Sequence, residues 1–300
     1  MEASVCIATF RRPDGLGRLL RSLEIQQGDV PAFEVIVVDN DADGGAGGIC
    51  EPFKDRLRLR YVKEPVRGIA RCRNRAVAAS DSRFIAFIDD DEEAVPQWLA
   101  ALHREVVRAG ADAAFGPVSY RFAGEPPPWI RECRIFTYPD LTNGKRVDWS
   151  LTRTSNAYVR RASLPDLRAP FDDSLGLIGG EDVDLFFRMA RKGARFVAAS
   201  DARTTEFYDA SRTTLSWLLR RNFRNGGTLG HIYWQHVSRH QRLGRGAAAM
   251  LQSMQFFARS LAALTRSRTA ALSHLLLSAE SLGTAAWSVG IVYPEYRRRA

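Results

Sequence analysis

The chain has 300 residues, 45% of them hydrophobic and 26% charged, which is ample for a large core and ordinary for a globular protein. Its formal net charge of +9 comes almost wholly from arginine, because Lys54, Lys63, Lys145 and Lys192 are the only lysines. A surface of this kind suits phosphates or an anionic membrane; the arginines are too dispersed for a nucleic-acid module, and no zinc-finger or RNP-type pattern occurs. Cys6, Cys50, Cys72 and Cys133 lie far apart with no C-x-x-C pair, so neither a disulfide framework nor a zinc site is expected, and a reducing cytosol fits. Met1-Glu2-Ala3-Ser4 leads straight into an apolar stretch rather than a signal peptide.

In chain order, Ser4–Thr9 reads as a short apolar strand running into Phe10-Arg11-Arg12-Pro13, and Leu16, Leu19, Leu20 and Leu23 follow at helical spacing. Gly15-Leu16-Gly17 lacks the third glycine of a dinucleotide fingerprint, and no P-loop is present. Phe33–Val38 is a β-branched strand ending at Asp39-Asn40-Asp41, and Leu57–Val62 alternates like a third strand with one exposed face. A helix is expected over Ile69–Ala78, followed by Arg83-Phe84-Ile85-Ala86-Phe87-Ile88, a strand buried on both faces that runs into five acids, Asp89 to Glu93.

Two readings of those acids stay open on the residues alone. Acids favour a helix start, and Val95-Pro96-Gln97-Trp98-Leu99 looks like one beginning. Alternatively, adjacent carboxylates at the carboxyl end of a parallel strand call for a hard divalent cation such as magnesium or manganese. The alternation of strand and helix predicts a right-handed parallel α/β sheet, in which Thr9, Asp39 and Asp89 close their strands along one edge.

Further on, Ala113–Val118 reads as a strand and Pro126-Pro127-Pro128-Trp129 as a rigid loop facing solvent. Thr152–Val159 is a short strand, and Gly179-Gly180 make a turn before a helix opened by Glu181-Asp182, with Leu185, Phe186 and Met189 facing inward. From residue 211 the texture becomes helical: a basic amphipathic stretch at Trp217–Arg224, then Met250, Leu251, Met254, Phe257 and Leu261 at helical spacing. Ala270–Tyr293 is mostly apolar, but His274 and Glu280 interrupt it and argue against a bilayer span. A peripheral membrane surface flanked by Arg266 and Arg268 on one side and Arg297-Arg298-Arg299 on the other is the alternative to plain packing. His231, His236 and His240 form no tetrahedral metal set.

Val5-Cys6-Ile7-Ala8-Thr9-Phe10-Arg11-Arg12, Val37-Val38-Asp39-Asn40, Gly68-Ile69-Ala70-Arg71-Cys72-Arg73-Asn74, Phe87-Ile88-Asp89-Asp90-Asp91-Glu92 and Gly179-Gly180-Glu181-Asp182 stand in a recognisable order. Together they resemble the family 2 inverting glycosyltransferases of GT-A fold, most closely those that extend lipid-linked repeat units of succinoglycan-type exopolysaccharide. The resemblance covers roughly the first two hundred residues. It implies an α/β catalytic domain over 1–210, with a mainly parallel Rossmann-like sheet, and a helical C-terminal extension over 211–300.

The resemblance also implies roles. Thr9, Arg11 and Asp39 would line the nucleotide pocket, with Arg71 and Asn74 at the base or diphosphate. Asp89, with Asp90, would face the nucleotide sugar; Asp91 would hold Mg2+ or Mn2+; and Asp182 of the Glu181-Asp182 pair would be the general base. Relatives often carry a histidine metal ligand where this chain reads Thr204-Thr205-Glu206-Phe207-Tyr208, and Glu206 stands in that place. The implied partners are a nucleotide-sugar donor, usually UDP-linked, a saccharide or lipid-linked acceptor, and the inner face of the cell membrane as a peripheral contact, with no nucleic acid. Two rival readings are a sugar nucleotidyltransferase, for which Phe10-Arg11-Arg12-Pro13 makes a poor triphosphate loop, and a non-catalytic component of a glycan assembly complex.

Overall fold

A computed structural model describes residues 1–131, 136, 142–176 and 178–291, the side chain of Tyr233 excepted. Cys133 and Arg297–Arg299, singled out above, lie outside the described residues. The chain divides into two compact units, the first comprising Met1–Tyr120, Pro139–Leu177 and Glu181–Phe207, the second Arg121–Tyr138, Ile178–Gly180 and Tyr208–Ala300.

In the first unit, strands β1 (Ala3–Thr9), β2 (Phe33–Asp39), β3 (Leu59–Lys63) and β4 (Phe84–Ile88) alternate with helices α1 (Pro13–Glu24), α2 (Gly47–Cys50) and α3 (Ile69–Ala79). β5 (Glu92–Ala94), α4 (Trp98–Ala109), β6 (Ala113–Phe115), β7 (Val118–Phe122), α5 (Pro128–Arg131), β8 (Asn156–Arg160), α6 (Glu181–Arg191), β9 (Phe196–Ala198) and β10 (Thr204–Tyr208) follow in the chain. The main sheet has the order β3-β2-β1-β4-β8-β6-β9. β1 pairs parallel with β2 and β4, β2 with β3, and β6 with β9, whereas β8 runs antiparallel to both β4 and β6. The sheet is therefore mainly parallel, as expected, with one reversed strand in its middle.

Alternation along β1 divides the core. Val5 and Ile7 pack with Leu16, Leu19, Leu20 and Leu23 of α1 and with α4 on one face, while Cys6 packs with Ala70, Cys72, Ala76 and Val77 of α3 and with Leu185, Phe186 and Met189 of α6 on the other. Each such buried aliphatic side chain is worth about 1.5–3 kcal/mol. β4 is buried at every position, which the unbroken run Phe84–Ile88 required.

The acids do not cap α4. Its first turn holds no acid, and the short strand β5 stands between Asp89-Asp90-Asp91 and the helix. β5, β10 and β7 form a second, three-stranded sheet in that order. The single strand expected over 113–118 is instead two, broken at Gly116, where a Cβ would lie 2.0 Å from the Ala202 carbonyl oxygen.

In the second unit, α7 (Leu215–His236), α8 (Arg239–Ala263) and α9 (Arg268–Ser288) carry the mass. α9 passes close to α7, because Gly226 faces the Glu280 carbonyl and Gly283 faces the Phe223 carbonyl with no room for a Cβ. The proline-rich segment is a loop only in part: Pro127 and Pro128 face solvent, but Pro126 is buried and Pro128 opens the short helix α5, with Ile130 buried against Leu218 and Leu276 and with Trp129 and Trp217 beside them. His231 packs edge-on to Trp287, ring centroids 4.7 Å apart. Among the described residues no helix is long and apolar enough to cross a membrane.

Candidate active site

The carboxyl ends of β1, β2 and β4 bring the expected residues to one edge of the first unit. Thr9 ends β1 opposite Asp39 of β2 in the parallel register, and the Asn40 amide donates to the Thr9 carbonyl at 2.9 Å. Thr9 Oγ1 in turn donates to Asp90 Oδ2 at 2.8 Å. Thr9 thus joins two groups of side chains, one around Asp39 and one around the acidic turn.

Around Asp39, the carboxylate is buried and fixed. It accepts from the Asp41 and Ala46 amides, each at 3.0 Å, and from the Tyr61 hydroxyl at 2.7 Å. Arg11 adopts φ 52, an uncommon left-handed conformation for a non-glycine residue, and its guanidinium donates to Asp41 at 2.8 Å. That hydrogen bond, and then Asp41's other neighbours, hold the Asp41 carboxyl below the usual carboxylate range. Arg67 lies over the Phe10 ring at 3.7 Å, which completes a cationic and aromatic corner suited to a flat anionic ligand.

At the acidic turn, Asp90 is 5% exposed. Burial pushes its carboxyl up to about 6, opposed by Arg12, whose Nη1 donates to Asp90 Oδ1 at 2.9 Å and to Asp91 Oδ2 at 2.6 Å. Gly15 is the reason α1 comes so near: a Cβ there would stand 2.5 Å from the Asp90 carbonyl oxygen. The glycine that resembles a nucleotide fingerprint serves a close helix-to-turn approach instead. Antiparallel pairing sets Glu206 of β10 opposite Glu92 of β5, and the Phe207 amide donates to the Asp91 carbonyl at 2.9 Å. Glu206 therefore stands beside the turn. Glu92 is buried, and burial first, then the charges of Asp89, Glu206 and Asp91, raises its carboxyl well above its ordinary range.

Arg73 ties the turn to α6. Its Nη2 donates to Asp89 Oδ1 at 3.0 Å and its Nη1 donates to Glu181 Oε1. Burial lifts Glu181 above its ordinary range despite Arg73. Asp89 is pushed up by burial as well, yet its side chain remains 40% exposed, so water and Arg73 together blunt that push. Asp182 accepts from the Val183 amide at 2.8 Å and, weakly, from the Thr154 amide at 3.5 Å. Its charge is felt at both Asp89 and Arg73. One carboxylate from the strand end, Asp89, and two from the helix start, Glu181 and Asp182, are thereby gathered round one buried guanidinium.

Other expected residues lie elsewhere. Arg71 is half-exposed and meets Asp173 at 3.4 Å. Asn74 is buried, and its amide clamps the 171–173 segment through the Phe171 carbonyl and amide and Asp173 Oδ1. Arg12 and Arg73 stand within the motifs without a role there, and Arg67 lies just before the motif that begins at Gly68. A signal for Arg73 existed: Ala70, Arg73, Asn74 and Val77 share one face of α3 at helical spacing and are all buried, while Arg71 and Arg75 point away. Nothing comparable in sequence links Arg12 to acids some eighty residues on.

The carboxylates of Asp89 and Asp91 offer hard oxygen donors two residues apart, which suits Mg2+ or Mn2+ held by one or two carboxylates together with substrate phosphates. Among the described residues no set of three or more His, Cys, Asp or Glu stands together in a way that could hold an ion. An open cavity of about 650 Å³ lies elsewhere, lined by Pro13, Arg18, Arg21, Ile49 and Phe53 with none of these acids.

Residues 4–168 match the model of the family described as Glycosyl transferase family 2. The chain belongs to that family. It is a glycosyltransferase. It is 34% identical over 239 residues to the succinoglycan biosynthesis protein ExoM of Rhizobium meliloti (strain 1021), covering 77% of this chain and 75% of that one. It is 26% identical over 223 residues to validoxylamine A glucosyltransferase of Streptomyces hygroscopicus subsp. jinggangensis (strain 5008), covering 63% of this chain and 51% of the relative. Among solved structures it is similar to residues 1–349 of S. aureus TarS in complex with UDP, with a TM-score of 0.58 and 16% identity over 94% of this chain and 91% of that one. The likeness to TarS is one of fold, and it agrees with the GT-A architecture that the motifs implied.

Proposed function

We propose that this glycosyltransferase moves a sugar, with inversion, from a UDP-linked donor to a saccharide or lipid-linked acceptor in exopolysaccharide assembly, at the inner face of the cell membrane. The observation that carries this is the Arg73 bridge, which joins Asp89 at the strand end to Glu181 at the start of the Glu181-Asp182 helix through one guanidinium. The printed name of ExoM supports the pathway class, and the TarS complexes with UDP and UDP-GlcNAc support the donor class. Residues 1–210 act as the catalytic domain and 211–300 as a helical extension.

Displacing a nucleoside diphosphate builds negative charge on the leaving oxygen, and the attacking hydroxyl must lose a proton on the opposite side. Asp39 and Thr9 orient the base end of the nucleotide, with Arg11 beside them. Arg71 would leave its pairing with Asp173 to meet the diphosphate, and Asn74 steadies the 171–173 segment beside it. Asp89 and Asp90 orient the sugar nucleotide. Asp91, with Asp89 and Glu206 beside it, would hold Mg2+ or Mn2+, which supplies Lewis-acid neutralisation of diphosphate charge. Asp182 takes the acceptor proton, and Glu181 is held by Arg73 so that Asp182 keeps its place at the start of α6. In-line attack on an α-linked donor then gives a β-linked product.

The test is release of nucleotide from a panel of nucleotide sugars, with and without manganese. Manganese-dependent release of UDP from one of them is expected. No release, together with no thermal stabilisation by UDP and manganese, would count against the donor class.

A further inference from the structure

α8 is built the wrong way round for a helix whose only task is packing. Its inner face carries small residues: Gly246, Ala249, Ser253 and Ser260 are buried. Ser253 Oγ donates to the Ser278 carbonyl and Ser260 Oγ to the Ala271 carbonyl, seating this face on α9. The large apolar residues stand outside. Met254 is 64% exposed, Leu261 53% and Phe257 49%, and Leu243, Met250 and Leu264 continue the stripe along the same side. Their spacing of three, four and seven keeps them on one face. The apolar segment that the sequence marks for a membrane, Ala270 onward, is mostly covered: Ala271, Leu276, Gly283, Ala285 and Trp287 of α9 are buried, while Leu277 and Leu282 are exposed.

Charge decides what could cover such a stripe. No Asp or Glu occurs between Asp209 and Glu280, while arginine recurs throughout. Arg259, Gln252 and Gln255 lie on the opposite, polar side of α8, whereas exposed Arg239 stands in line with the stripe at the start of the helix and exposed Arg266 follows just past its end. Trp234, half-exposed, carries the Arg242 guanidinium 3.6 Å above its ring. A second copy docked by the same face would set arginine against arginine with no acid to pair them. An apolar stripe bordered by cations and tryptophan, on a helix too polar to span, matches the surface of an anionic bilayer.

We propose that α8 lies in the interface of an anionic membrane, with Met250, Met254, Phe257 and Leu261 among the acyl chains and Arg239 and Arg266, at the two ends of the stripe, at the headgroups. This gives the peripheral placement a surface and does not depend on donor, acceptor or turnover. The intact protein is to be co-sedimented with vesicles of phosphatidylcholine alone and of an equimolar mixture with phosphatidylglycerol. Binding is expected to the mixed vesicles only, and to weaken as salt is raised. The triple variant Met254→Gln, Phe257→Gln, Leu261→Gln should bind at least about tenfold more weakly, and Arg239→Gln with Arg266→Gln should remove most of the preference for phosphatidylglycerol. Val107→Gln, at an exposed apolar site of α4, should bind as wild type. All substituted side chains are exposed, so the fold should persist by circular dichroism, and Met254→Gln alone serves if the triple variant unfolds. No binding to mixed vesicles would overturn the assignment. So would equal binding by the stripe and arginine variants, or a wild-type dimer in solution that the stripe variant converts to monomer.

Discussion

Arg73 Nη2 lies 3.0 Å from Asp89 Oδ1, and the same guanidinium donates to Glu181. A side chain on α3 thereby fixes the distance between the end of β4 and the start of α6. Removing one partner of a buried ion pair leaves an uncompensated charge and costs about 3–5 kcal/mol. Arg73→Met should lower unfolding stability by that order in urea. The double variant Arg73→Met, Glu181→Gln should recover part of the loss, and full additivity of the two single changes would deny the bridge its energetic role.

Gly15 brings α1 against the carbonyl of Asp90. Gly15→Ala gains helix propensity, worth about 1 kcal/mol at an open site. Here the new Cβ must push the acidic turn away, and overpacking costs about 1–3 kcal/mol. The variant should be no more stable than wild type and should bind UDP more weakly by calorimetry. Gly17 in the same helix is open to a Cβ, with its nearest neighbour 3.6 Å away, so Gly17→Ala should raise stability and leave binding alone.

The His103 imidazole is pushed below its ordinary range by burial, against the charges of Glu2 and Asp29. Its Nδ1 sits 3.0 Å from the Tyr158 hydroxyl, and Phe84 lies edge-on. With the folded value depressed, the unfolded chain takes up the proton first as pH falls below about 6.5, so acid lowers stability through this group and raising pH restores it. His103→Gln should flatten the fall in urea midpoint between neutral and mildly acid pH. An unchanged acid limb in the variant would show that His103 is not its source.

Where a residue's environment is set by its own segment, the sequence was readable. The unbroken apolar run Phe84–Ile88 marks a strand buried on both faces, and Leu185, Phe186 and Met189 do face inward from α6. The acid tips of neighbouring strands could be placed on one edge because parallel pairing follows from strand and helix alternation. What depends on long-range partners was not readable. The antiparallel pairing of β8 with β4 and the pairing of β5 with β10 come from segments more than sixty residues away. The side of α8 that faces out is decided by which residues let α9 approach, and those are the small ones. Arg73 lies between these cases: its face of α3 is legible from spacing, but its two acidic partners are not.

The most direct test of the site compares Asp182→Asn with wild type for both UDP affinity and glycosyl transfer, donor and acceptor being supplied in excess. Among the described residues the Asp182 carboxylate accepts one short hydrogen bond, from the Val183 amide at 2.8 Å, which an asparagine oxygen can keep. The fold and UDP binding should therefore survive. With the proton acceptor gone, kcat should fall by at least about 10²-fold. Transfer by Asp182→Asn at close to the wild-type rate would contradict the assignment of the base to the start of α6.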